Sequence, residues 1–124
     1  MANPNIVNVT QILGKTTYAA LTTTLSTVLL ANSASLGKVF KINSIMVANI
    51  DGTSAADVTV GINTAAGGGG TTYDLAATIS VPADATLSVI DKTNSFYLEE
   101  DKSIVGGASA NSDLEIVISY EEIN

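Results

Sequence analysis

The sequence predicts an all-β chain: an antiparallel β-sandwich, jelly-roll-like, built from about eight short strands. Three observations carry this reading. First, β-branched residues dominate the apolar stretches and Thr and Ser are abundant, a composition that suits pleated, half-buried backbone. Second, two stretches alternate strictly. In ADVTVGI, Val58, Val60 and Ile62 face one way; in DLEIVISYEE, Leu114, Ile116, Ile118 and Tyr120 do the same, as in strands with one face on a core. Third, turn chemistry punctuates the runs at Asp51-Gly52, Val81-Pro82-Ala83-Asp84 and Asn111-Ser112-Asp113.

The remaining elements follow in chain order. NIVNVTQIL (residues 5–13) and TTLSTVLLA (23–31) are β-favouring runs. Part of YAALTTTLSTVLLA (18–31) also fits helical spacing, an option weakened by the run Thr22-Thr23-Thr24. KVFKINSIMVANI (38–50) is apolar on both faces, as a central or bent strand would be. DLAATISV (74–81) places Leu75, Ala77, Ile79 and Val81 on one face, and ATLSVI and SFYLEE complete the set.

Composition sets the functional bounds. A chain of 124 residues, 46% hydrophobic, holds one real core. Only 5% is aromatic, so that core is aliphatic. A net charge of -7 with five scattered lysines argues against nucleic acid, whose phosphates need clustered cations. No apolar run is long enough to span a bilayer, and the first residues lack the basic and apolar regions of a signal peptide. Cys, His, Arg and Trp are all absent. Thiolate chemistry, the commonest general base and the bidentate guanidinium clamp go with them.

Three local features invite a chemical reading. AAGGGGTT (65–72) lacks the Lys-Ser/Thr pair and following helix of a phosphate loop, and is expected to be a flexible hairpin tip. Glu99-Glu100-Asp101 follows an apolar triplet. Paired-carboxylate catalysis would need a cleft that raises one pKa, and calcium would need oxygen ligands from several places. The bland expectation is a solvated strand end, with a weak cation site as the alternative. Ser103 has no His or Lys partner in a recognisable motif. The chain is expected not to be an enzyme and to need no cofactor or metal.

Longer stretches carry a resemblance. VFKINSIMVANIDGTSAADVTVGI, then ATISVPADATLSVIDKTNSFYLEEDKSI, then SDLEIVISYEEI, spanning roughly residues 38–123, resemble small virion structural proteins of tailed phages, especially those of marine cyanophages. In that pattern a "VP" turn leads to "YLEEGDSL" and a terminal strand ends in "SYEEI". Here Asp101-Lys102 stand where the pattern has Gly-Asp, which questions the glycine-dependent turn.

The resemblance implies a β-sandwich that decorates a capsid or serves as a tail, neck or head-fibre accessory. The favoured implication is a capsid decoration (cement) protein on the virion surface, made in the host cytoplasm. It would bind the major capsid protein or other virion proteins as a homo-oligomer, a trimer being favoured. A small carbohydrate- or cation-binding β-module is the reading from another class. Residues 1–13 are expected to form an N-terminal strand or arm and residues 14–124 the sandwich. Asn5, Ile6, Val7, Val9, Ile12 and Leu13 are the expected interface residues.

Overall fold

Leu114, Ile116, Ile118 and Tyr120 are all buried along the last strand, as their alternation requires. In the computed structural model, which describes residues 3–124, nine strands are found among the described residues. They are β1 (Ile12–Ala20), β2 (Val28–Asn32), β3 (Val39–Asn49), β4 (Ala56–Asn63), β5 (Thr72–Val81), β6 (Thr86–Ile90), β7 (Phe96–Leu98), β8 (Lys102–Ala108) and β9 (Leu114–Ile123). The first sheet runs β1-β9-β3-β6, with β7 also paired to β3, and the second runs β2-β8-β4-β5. Every pairing is antiparallel. Both β6 and β7 pair with β3 and only a 3-10 turn (Lys92–Asn94) separates them, so together they fill one position. Two four-position sheets with the chain crossing repeatedly between them make a jelly roll.

The core between the sheets is aliphatic. Ile42, Ile45 and Val47 of β3 meet Val58 and Val60 of β4, Ile104 of β8 and the β9 series. Phe40 and Tyr120 supply an aromatic contact, with ring centroids 5.1 Å apart.

Several sequence expectations need correction. The strand expected over residues 5–13 begins only at Ile12. Upstream, Asn5 builds a turn: its side-chain oxygen accepts from the Val7 amide at 3.0 Å and its carbonyl from the Asn8 amide at 3.1 Å. Of the expected arm, Met1 and Ala2 lie outside the described residues. Residues 18–31 form no helix; they finish β1, turn through residues 21–27 and enter β2. β5 loses its alternation because Thr78 has φ +52° and the pairing with β4 shifts register twice. Leu75 and Val81 reach the core, whereas Ala77 and Ile79 are exposed.

β8 carried no sequence signal, because both faces are covered and two of its residues are glycines. A Cβ on Gly106 would stand 2.6 Å from the Thr59 carbonyl oxygen, and one on Gly107 would stand 2.7 Å from that of Thr22. Close backbone approach explains both glycines.

Buried asparagines end three strands and hold the loops that follow. Asn32 Nδ2 donates to the carbonyls of Lys38 and Leu98, and Asn49 Nδ2 to those of Ser54 and Val81. Asn63 Nδ2 donates to the Gly70 carbonyl, while its Oδ1 accepts from the amides of Ala65 and Gly70. The glycine run does form the hairpin tip between β4 and β5, and these bonds tie it to the strand end. Ser103 Oγ donates to the Ala65 carbonyl at 2.7 Å, and Gly68 packs beside Val28 and Val105 on the outer side of β8.

Candidate binding interface

Register dictates what the outer face of the first sheet presents. Tyr18, Val117, Met46 and Ser88 form one row across β1, β9, β3 and β6. Thr16, Ser119 and Ser44 form the next, and Gly14, Glu121, Lys41 and Tyr97 another. Tyr18 is 78% exposed and Met46 43%. The end row, Ile12, Ile123 and Val39, differs. Ile123 and Val39 are buried, yet neither belongs to the core between the sheets.

The N-terminal segment runs beside this row. Asn3, Pro4 and Ile6 line a shallow groove with Val39, Tyr97 and Glu99. Asn3 donates from Nδ2 to Glu99 Oε2 at 3.1 Å and accepts the Glu100 amide at 3.0 Å. At the other end, the amides of Thr10 and Gln11 both donate to the Asn124 carbonyl, and the Asn124 amide donates to that of Gln11. Residues 3–11 thus form a strap tied at both ends to their own sheet.

The six residues marked by sequence fall into distinct roles. Ile6, Val7 and Ile12 are exposed, Val7 at 91%, and Leu13 is 37% exposed. Ile6, Val7 and Ile12 present apolar side chains on and beside the strap, while Leu13, opposite Glu122, alternates onto the other face of β1. Val9 is half-buried, and Asn5 shapes the turn. Ile12 and Leu13 are strand residues of β1, paired with Ile123 and Glu122. Tyr18 and Met46 escaped the sequence reading, since nothing in their local pattern marks which face stays uncovered.

The acidic triplet serves the strap and the neighbouring loop. Glu100 is buried and accepts the Gly37 amide at 2.7 Å. Burial disfavours its charged form, but hydrogen-bonding partners led by the Gly37 amide override this and hold its pKa below the usual value. Asp101 turns the chain with φ +61° and donates its amide to the Asn32 carbonyl. The chain makes a left-handed turn here without a glycine; a short polar side chain tolerates that conformation. Among the described residues no three His, Cys, Asp or Glu side chains gather to hold a metal ion.

On the core-facing side of the same sheet edge, Glu122 is buried beneath two lysines, 3.1 Å from Lys15 Nζ and 3.2 Å from Lys38 Nζ. Burial again opposes its charge, and the hydrogen bonds from Lys15 and Lys38 outweigh it, lowering its pKa.

No family model matches the chain, and no curated protein matches it in sequence. The matches among solved structures include a chain of the T13 particle of IBDV, at 9% identity and TM-score 0.37 over 98% of this chain. Another belongs to infectious bursal disease virus strain Gx, at 11% identity and TM-score 0.36 over 94%. This chain spans 27% and 38% of those two chains.

Proposed function

We propose that this chain is a virion structural protein, a capsid decoration (cement) protein that binds the major capsid protein shell of a tailed phage and stabilises the head. The reading rests on the resemblance over residues 38–123 and on one structural observation. The strap and the start of β1 hold Ile6, Val7 and Ile12 exposed on a hydrogen-bonded frame, with Leu13 exposed on the other face of the same strand. Such a patch binds without a large ordering cost, because its backbone is already fixed. Its role is adhesive and not catalytic. Burying the patch against a shell subunit contributes roughly 25 cal/mol per Å² before association costs. Repetition over a closed shell multiplies modest contacts into resistance against internal pressure.

Co-sedimentation with particles that lack the protein tests this, together with its copy number in purified virions. The expected result is saturable binding with copies on the order of hundreds, set by the many equivalent sites of a symmetric shell. Val7→Asp and Ile12→Asp should each weaken it while leaving the β-rich circular dichroism unchanged. Copies in the tens or fewer, co-purifying with tails, would favour a tail, neck or head-fibre role. Absence from particles would end both versions.

A further inference from the structure

The four sheet edges are not alike. β2 has five residues and a register shift against β8. β5 is bent by Thr78 at φ +52° and by two register shifts. The β6 and β7 edge is interrupted by the 3-10 turn Lys92–Asn94. Short, bulged or broken edges are the usual defences against unwanted strand pairing. β1 has none of them. It runs for nine residues in unbroken register with β9, contains no proline, and among the described residues leaves its other side unpaired in the sheet order. Its one charge, Lys15, is engaged by Glu122.

We propose that β1 is a self-pairing edge, joining the first sheet to the same sheet of a second copy of this chain across a two-fold axis. Its sequence fits itself in one register. Pairing all nine residues antiparallel sets Thr16 opposite Thr16 of the second copy, Tyr18 opposite Gly14, Lys15 opposite Thr17 and Ile12 opposite Ala20. No like charges face each other in this register. A two-residue slip in either direction would lose two pairs, and one of the two would also set Lys15 against Lys15. The Tyr18–Gly14 pairs suit the space available: Tyr18 is 78% exposed, and nothing lies within 4 Å of a Cβ position on Gly14. An aromatic ring laid over a cross-strand glycine is a known stabilising pair. The joined sheets also run their two open faces, with Tyr18, Val117 and Met46 on each, into one surface. This pairing does not rest on the shell reading, although Ile12 takes part in both, and it makes a dimer in place of the trimer that the resemblance favours.

Sedimentation equilibrium of the full chain should give twice the 12.6 kDa chain mass. Thr16 is exposed, so Thr16→Lys and Thr16→Glu leave the fold intact while setting like charges across the axis. Each alone should raise the dissociation constant at least about tenfold, and an equimolar mixture of the two should restore the dimer. The chain has no cysteine, so Thr16→Cys is an unambiguous probe that should oxidise to a covalent dimer. A monomer at every concentration, a trimer, or a dimer indifferent to both charged variants would overturn the proposal.

Discussion

Glu122 Oε1 lies 3.1 Å from Lys15 Nζ, tying the last strand of the chain to the first from the core side of the sheet edge. The second carboxylate oxygen takes Lys38 at 3.2 Å, so one buried acid holds β1 and the approach to β3. The carboxylate is nearly dry and the lysines are partly wet, with side-chain exposures of 9%, 43% and 28%. The pair therefore falls between an exposed bridge and a fully buried one. Glu122→Gln should cost about 1–2 kcal/mol, read from a urea midpoint. An unchanged midpoint would show that the two ion pairs only balance their desolvation.

Acid should act through the same carboxylates. Glu122, Glu100, Asp51 and Asp91 all have lowered folded pKa values, the aspartates through hydrogen bonds from Thr53 and Thr93 respectively. A lowered folded pKa means that the unfolded chain binds protons first as pH falls. Stability should therefore be level above the ordinary carboxylate values of 3.8 and 4.5, and fall as pH drops through the lowered ones. Tyr120 acts at the other end. Burial raises its pKa above 10.0, so its contribution is intact below pH 10 and lost as pH climbs further. Thermal melts from pH 2 to pH 11 read both limbs; a Glu122→Gln variant should show a shallower acid limb.

Asp101 holds φ +61° where a glycine would sit without strain. Asp101→Gly should be neutral to stabilising by up to about 1 kcal/mol, the relief of the left-handed conformation offset in part by greater freedom of the unfolded chain. Asp101→Val should be clearly destabilising, since a β-branched residue rarely adopts that conformation. If the valine variant melts with the native protein, the turn does not impose the positive φ.

What was legible in the sequence follows from where each strand lies. β4 and β9 are central, with one face on the core, so Val58, Val60 and the series from Leu114 to Tyr120 advertised themselves by alternation. β1 is an edge strand whose residues are mostly exposed, and GKTTYAA carries no such pattern. β8 is covered on both sides, and its glycines read as a loop until the carbonyls of Thr59 and Thr22 are seen pressing on them. The strap was legible only as a β-favouring run. Its anchors are Glu99, Glu100 and Asn124, which are distant in sequence.

The Asn63 anchor makes the glycine loop a measurable object. Removing it by Asn63→Ala leaves the amides of Ala65 and Gly70 and the Gly70 carbonyl without their partner. The expected cost is about 2–3 kcal/mol, with amide exchange across residues 65–71 accelerating more than in β3 or β9. Equal acceleration everywhere would mean that Asn63 supports the whole fold and not the loop.

Removing the strap offers the sharpest separation of folding from binding. A chain lacking its first nine residues keeps β1, because the pairs from Ile12 to Ala20 with β9 do not involve the strap. It loses the Asn3 hydrogen bonds to Glu99 and Glu100, and it should expose Val39 and Ile123, which are buried outside the main core. Exposing two aliphatic side chains that lie outside the main core should cost about 2–4 kcal/mol at most, less where neighbouring side chains relax over them. The truncated protein should therefore stay β-rich, melt earlier and bind a hydrophobic dye more strongly. Particle binding should fall with the loss of Ile6 and Val7, while Ile12 and Leu13 remain in place. A Val39→Thr, Ile123→Thr double variant of the truncated chain should abolish the extra dye binding without restoring particle binding. If particle binding survives truncation unchanged, the adhesive surface lies elsewhere, and the open row of Tyr18, Val117 and Met46 becomes the surface to substitute.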